Sequence, residues 1–127
     1  MDNSEEIIER TVEKTIARMT VAGVIKVDQK PVTQKTVDLL ERYEQLKLSD
    51  QPFSKKVVAQ IDTALDQIRK DPFFSIIPMF YFEKVSREDI AFHFGVNEKT
   101  ITRNRKRLVR QISVMLFSDD VIMDILS

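Results

Sequence analysis

Residues 86–112 read SREDIAFHFGVNEKTITRNRKRLVRQI, and the chemistry of this stretch predicts two helices joined by a sharp turn. Ser86 followed three residues later by Asp89 approximates a capping box, so a short helix is expected to begin at Arg87. Gly95 falls where that helix must stop, because a residue without a Cβ adopts positive φ most easily. The first helix is therefore expected to end at this glycine.

A second helix is expected directly after the turn. Asn97 is a favourable N-cap, and Glu98 then lies at the positive end of the helix dipole. Val96 fills the turn, and the small Ala91 leaves room for the second helix to cross the first closely. Together these spacings predict a helix-turn-helix.

The second helix has one apolar face and one basic face, because residues three and four apart share a face of a helix. The expected inward residues are Ile101, Leu108, Ile112 and either Met115 or Leu116. The expected outward residues are Lys99, Thr102, Arg103, Lys106 and Arg110. Arginine and lysine on such a face can bridge guanine, and hydroxyls can meet a phosphate or a base edge, so duplex DNA is the predicted partner.

Two kinds of DNA contact are expected from these side chains. Those expected to reach into the major groove are Lys99, Thr102, Arg103 and Lys106, with Thr100 near the entry. Those expected to hold phosphates are Arg87, Arg105, Arg107 and Arg110.

The charge of the chain is unevenly distributed, although its formal net charge is zero. Residues 84–110 carry eight basic side chains against three acidic ones, a net charge of +5, whereas residues 1–83 and 111–127 are both net acidic. A basic helix face alone is most often just solvated. Beside the turn chemistry, however, this local patch favours binding to a phosphate backbone.

Apolar residues recur at intervals of three and four along most of the chain, which predicts an all-α protein. We expect residues 1–72 to form an N-terminal helical region that supports the rest or contacts a partner. Residues 73–127 are expected to hold the helix-turn-helix and a C-terminal helix. Within them, FFSIIPMFYF (73–82) is apolar on nearly every side, which predicts a buried helix kinked or broken at Pro78.

Three helices are expected in the N-terminal region. The first starts behind Ser4 and ends near Gly23, and the second runs from about Thr33 to Lys47. The third is expected to have Ser54 as its cap and to stop at Asp71.

The tail ISVMLFSDDVIMDILS (112–127) is more apolar than a surface helix needs to be. It therefore either folds back on the domain or forms the seam of a homodimer.

Composition argues against enzymes and metalloproteins. The chain has no cysteine, two glycines and one histidine, so thiolate chemistry and glycine-rich phosphate loops are excluded. His93 and Asp89, one helical turn apart, make a poor metal site, and we expect no catalytic residue, metal or cofactor. No apolar run is long enough to cross a membrane, and the acidic MDNSEEIIER start is unlike a secretory signal, which predicts a cytoplasmic protein.

Three stretches resemble the ArpU/RinA-type regulators of phages and prophages of Gram-positive bacteria. They are LLERYEQLK (39–47), YFEKVSREDIAFHFGVNEKTITRNRKRLVRQI (81–112) and VMLFSDD (114–120). The resemblance implies a helix-turn-helix akin to region 4 of sigma factors, and control of phage genes, often late ones, in the bacterial host cell. Asn104 departs from the pattern, because such recognition helices commonly place an apolar residue there; looser packing or a register shift of one residue is the expected consequence.

The sequence leaves two alternatives to a transcriptional regulator that binds duplex DNA by itself. One is a sigma-like factor that acts only with RNA polymerase and contacts it through the acidic N-terminal helices. The other is a small terminase subunit of a DNA-packaging machine, which would assemble as a ring.

Overall fold

Side-chain caps fix where three helices begin. In each, a polar side chain accepts a hydrogen bond from a backbone N–H that has no partner within its own helix. The pairs are Ser86 with the N–H of Asp89 (3.1 Å), Asn97 with that of Thr100 (2.8 Å) and Ser118 with that of Val121 (3.3 Å). The first two confirm the helix starts predicted from the sequence.

The computed structural model describes residues 30–127, and this part of the chain is helical, with no strand. The predicted all-α class is therefore confirmed. The elements are α1 (Val32–Glu41), α2 (Tyr43–Leu48), α3 (Pro52–Ile68), a π-helical segment (Pro78–Phe82), α4 (Arg87–Phe94), α5 (Glu98–Leu116) and α6 (Asp119–Leu126). The helix predicted between Ser4 and Gly23 lies outside the described residues.

The helix predicted from Thr33 to Lys47 is interrupted at Arg42. The N–H of Arg42 is shared between the carbonyls of Asp38 and Leu39, at 3.3 and 3.1 Å, which tightens the last turn of α1. Tyr43 then begins α2, where it stacks on Phe82 with 4.4 Å between ring centroids. The break turns α2 onto its neighbours.

Helix α3 begins three residues earlier than the sequence predicted, with Gln51 and not Ser54 as its N-cap. Pro52 occupies its first turn, where a missing N–H costs no hydrogen bond. Ser54, predicted as the cap, lies inside the helix and is buried. The helix ends at Ile68, three residues before the predicted stop at Asp71.

Two hydrophobic cores hold these elements together. The larger core combines α1, α2, α3, α5 and α6 and takes residues from both sides of the division expected at residue 72. The smaller core lies under the α4–α5 pair and consists of Ile76, Ile90, Ala91 and Ile101. The residue predicted to allow close approach, Ala91, is buried here as expected.

The apolar segment before α4 changes at Pro78 from an α-helical turn to a π-helical segment, and the N–H of Met79 still bonds to the carbonyl of Ser75 at 3.0 Å, so the break predicted there is not observed. The π-helical segment begins there, and the N–H of Glu83 reaches back five residues to the carbonyl of Pro78 at 2.9 Å. Tyr81 is buried, and Ile76 and Ile77, just before the segment, are fully buried. The apolar stretch 73–82 therefore joins the two cores, because Ile76 belongs to the smaller one and Tyr81 to the larger.

The tail folds back on the domain, which is one of the two arrangements expected for it. Ile125 is buried in the larger core, and Val121 and Ile122 pack against it. The side chain of Gln60 in α3 donates to the Asp124 carboxylate at 3.0 Å. Helix α6 is thus fastened to α3 within the same chain.

Helix α4 ends at Gly95 in a left-handed turn, at φ 66° and ψ 33°. The N–H of Val96 donates to the carbonyl of Ala91 at 3.0 Å, and the N–H of Gly95 donates to the carbonyl of Phe92 at 3.1 Å. This pair of bonds is the Schellman arrangement, which satisfies the last carbonyls of a helix. The sharp turn predicted at Gly95 is confirmed.

Replacing Gly95 by alanine should lower the free energy of unfolding by about 1–2 kcal/mol, because a Cβ strains the left-handed conformation. The strain is conformational, since a Cβ built at Gly95 would have no atom of the described residues within 4 Å apart from those of its chain neighbours. Gly95→Asn should lose less, because asparagine tolerates this region. Urea denaturation of the three proteins measures the order, and equal stability of the alanine variant and the parent would contradict it.

Candidate nucleic-acid interface

Helix α5 buries the apolar face that its sequence predicted. Ile101, Leu108 and Ile112 have no exposed surface, and Leu116 rather than Met115 completes the stripe. These positions show no shift of register by one residue. With its inward side fixed in this way, the opposite side of α5 must face outward.

The outward side of α5 and the start of α4 form the walls of a shallow cleft. Its lining residues are Arg87, Glu98, Lys99, Thr102, Arg103, Lys106 and Arg110. Six of the nine residues predicted to contact DNA therefore meet on one surface. Glu98 was expected only to complement the helix dipole, and its place in the cleft was missed because it depends on where α4 lies.

Four cations of this cleft carry the positive charge of the surface. Lys99, Arg103, Lys106 and Arg110 are all exposed. Within residues 30–127, none of the four makes a hydrogen bond or an ion pair. Their charge is therefore available to an anion that approaches α5 from solvent.

Arg87 links the two helices across the cleft. Its Nε donates to Glu98 Oε1 at 3.1 Å, and its Nη1 donates to Thr102 Oγ1 at 3.2 Å. Both charged side chains are about half exposed, so solvent screens this pair and its contribution to stability is small. Its geometric effect is larger, since one planar guanidinium orients two side chains of α5.

Thr100 serves the cap of α5 and does not line the cleft. Its backbone N–H donates to Asn97 Oδ1 at 2.8 Å, and its hydroxyl donates to the same oxygen at 2.9 Å. Thr100 was expected near the entry of the DNA groove, but its hydroxyl is already hydrogen-bonded to Asn97.

Arg105, predicted to hold a phosphate, packs against the π-helical segment instead of lining the cleft. Its Nη1 donates to the hydroxyl of Tyr81 at 2.9 Å, and its guanidinium lies over the ring of Phe80, 4.6 Å from the centroid. The Nε of Arg105 is buried and has no hydrogen-bond partner among the described residues. Burial raises the pKa of Tyr81, and the phenol stays a neutral partner for the cation.

Arg107, also predicted to hold a phosphate, is tied to the body of the protein. Its two terminal nitrogens donate to the two oxygens of Asp71, at 2.8 and 3.0 Å. Such a bidentate pair fixes both charge and orientation. We therefore assign Arg105 and Arg107 to the anchoring of α5 and leave them out of the proposed DNA contacts.

Asn104 is accommodated in α5 by hydrogen bonds. Its Nδ2 donates to the carbonyl of Thr100 at 2.9 Å, and its Oδ1 accepts from Arg107 Nε at 3.2 Å. The polar group that departs from the expected pattern is thus satisfied within α5 and helps to position the arginine that pairs with Asp71.

Aromatic residues before α4 pack as the sequence predicted. Phe73, Phe74, Phe80 and Phe82 all lie against the cores. His93 is exposed, and its ring meets Phe94 edge to face at 5.1 Å. In residues 30–127 no group of three histidine or carboxylate side chains is arranged to hold a metal ion.

No protein-family model matches the chain, and searches of curated proteins and of solved structures found no match either. In the part of the chain that the structure describes, none of the helices combines the length and the apolar character needed to span a bilayer.

The pairing of Asp71 with Arg107 predicts a pH-dependent contribution to stability. The Arg107 guanidinium holds the pKa of the Asp71 carboxyl below its ordinary value of 3.8. Because the folded value is the lower one, the contribution is complete above 3.8 and disappears as the pH falls through the folded value. Asp71→Asn should therefore cost about 1 kcal/mol of unfolding free energy at neutral pH and progressively less in acid.

Urea denaturation of both proteins across this pH range measures that difference. Asp66→Asn is the matched control, because Asp66 pairs with Arg69 on the exposed surface and should cost little at any pH. A difference for Asp71→Asn that stays constant from neutral to acid pH would contradict the assignment.

Proposed function

We propose that this protein is a transcriptional regulator that binds duplex DNA sequence-specifically through a helix-turn-helix formed by α4 and α5. The observation that carries the proposal is the set of exposed cations Lys99, Arg103, Lys106 and Arg110, on a helix whose other face is buried in two cores. A helix fixed on one side and cationic on the other suits the major groove, which admits one α-helix.

In the proposed complex α5 lies in the major groove with its N-terminal part toward the base edges. Lys99, Thr102, Arg103 and Lys106 contact bases, because they line the cleft along successive turns of α5. Arg110 at the far end of the cleft holds a phosphate. The mechanism is docking without bond chemistry, and its two components are phosphate contacts for affinity and base contacts for sequence choice.

Anchoring of α5 is part of this proposal. A recognition helix discriminates between bases only if its orientation is fixed relative to the groove. Arg107 with Asp71, and Arg105 with Tyr81, connect α5 to the segments before α4 by hydrogen bonds of 2.8–3.0 Å. These arginines would support sequence choice without touching DNA.

Control of phage or prophage genes, late ones in particular, is proposed from the resemblance to ArpU/RinA-type regulators. Gel-shift assays with the pure protein and with added RNA polymerase test how it acts. A shift with the pure protein supports an autonomous regulator, whereas a shift that requires polymerase indicates a sigma-like factor. A ring of many subunits in a solution mass measurement would instead indicate a packaging subunit.

The affinity for duplex DNA should depend steeply on salt, because each phosphate contact releases counterions. If the four exposed cations of the cleft together neutralise about four phosphates, a plot of log affinity against log salt should have a slope of roughly −3 to −4. Fluorescence anisotropy of a labelled duplex over a range of potassium chloride concentrations measures this slope. A flat response would remove DNA from the proposal.

Variants separate the two components of binding. Arg110→Ala should reduce the magnitude of the salt slope by about 1, whereas Arg103→Ala should cost about 1–3 kcal/mol on the preferred site and relax its sequence. Lys55→Ala is the matched control, because Lys55 is an exposed lysine of α3 that does not line the cleft. An effect of Lys55→Ala as large as that of Arg103→Ala would contradict the assigned surface.

A further inference from the structure

Glu98 is a carboxylate among the cations of the cleft, and phosphate binding alone does not account for it. It is the first residue of α5, about half exposed, and it lines the cleft together with Lys99 and Arg103. A negative charge here opposes the approach of a phosphate backbone. A surface selected only for affinity to DNA would gain from its removal.

The structure holds this carboxylate in one orientation. Arg87 Nε donates to Oε1 of Glu98 at 3.1 Å, while Arg87 Nη1 reaches Thr102 Oγ1 at 3.2 Å. Because the guanidinium is a rigid planar fork, the two contacts fix the Glu98 and Thr102 side chains relative to each other. The second carboxylate oxygen, Oε2, has no hydrogen bond within residues 30–127.

We propose that Glu98 is a specificity-determining residue that reads cytosine in the major groove, with Arg87 as its positioning residue. The inference rests on the proposed function, since it assumes that α5 enters the groove. Residues at the N-terminal end of such a helix contact base edges, and Glu98 is the first residue of α5. Oε2 accepts the hydrogen bond, while Oε1 stays with Arg87.

The choice of cytosine follows from the groups that each base presents in the major groove. Guanine offers two acceptors and thymine an acceptor and a methyl group, so both repel or fail to satisfy a carboxylate. Adenine offers an amino donor beside the acceptor N7, whereas cytosine offers its N4 amino donor alone. A carboxylate that can only accept hydrogen bonds is therefore best matched by cytosine.

A role confined to the helix dipole is the competing explanation for Glu98. Glutamate in the first turn stabilises a helix wherever its side chain points. With that role alone, Glu98 would need neither the contact with Arg87 nor a place in the cleft. Removing its carboxylate would then leave the preferred DNA sequence unchanged. The two explanations differ in sequence preference, which can be measured directly.

Selection from a randomised duplex library, followed by sequencing of the bound DNA, provides the test. The parent protein should enrich sites that have one position fixed as cytosine. Glu98→Ala should make that position degenerate. The preference for cytosine over the other bases should fall at least about five-fold, which is the smallest effect expected from losing one base-edge contact. Glu98→Gln should shift it toward adenine, since an amide can pair with both the N6 donor and the N7 acceptor.

Two further variants make the result specific. Arg87→Lys keeps the charge but cannot orient Glu98 and Thr102 together, so it should weaken the preference for cytosine while other positions stay fixed. Glu88→Gln removes an equal charge from an exposed carboxylate outside the cleft and should leave every position unchanged. Circular dichroism on each variant verifies that the helices are retained.

The outcomes distinguish this inference from the proposed function. If the Glu98 variants bind DNA and enrich the same sites as the parent, the reading of cytosine is overturned while DNA binding stands. If the parent protein enriches no sequence, both are overturned together. Loss of preference at one position in both the Glu98 and Arg87 variants supports the inference.

Discussion

The architecture depends on helix α5, because its apolar stripe belongs to both hydrophobic cores. Ile101 packs in the smaller core under α4, while Leu108, Ile112 and Leu116 pack in the larger one. Burying several large apolar side chains contributes far more free energy than any exposed ion pair of this molecule. The rotation of α5 about its axis is therefore set by its buried side, and the cationic side faces solvent as a consequence.

Features that depend on a few neighbouring residues could be predicted from the sequence. The caps Ser86 and Asn97 and the positive φ of Gly95 involve partners within five residues, so the sequence contains all the participants. Ser54 failed as a predicted cap because Pro52 offered a competing start that suits the first turn equally well. The start of a helix can therefore be read from local residues only where a single residue suits the first turn.

The candidate site could be predicted only in part, because its remaining contacts join distant residues. Arg107 meets Asp71 across 36 positions, and Arg105 meets Tyr81 across 24. On a helical projection Arg107 lies beside Arg103 and looks as available, whereas Arg105 falls on the side of Ile112 and Leu116, so its inward position could have been predicted from the sequence. For Arg107, only the packing of the segment between α3 and α4 shows that the guanidinium holds α5 in place. The position of Arg87 beside Glu98 depends on the same packing.

The cations of α5 fall into two groups, one held by the protein body and one exposed, and the exposed group gives a chain of zero net charge a strongly basic surface. Of the six cations between residues 99 and 110, two are engaged by other side chains and four have no hydrogen bond or ion pair within residues 30–127. The engaged pair lies where α5 meets the protein body, so its charge is offset by Asp71 or covered by aromatic rings. Asn104 fits the same logic, since an apolar residue there would leave the Arg107 Nε without its acceptor. A polar residue in the middle of α5 thereby helps to fix the side chain that ties this helix to the protein body.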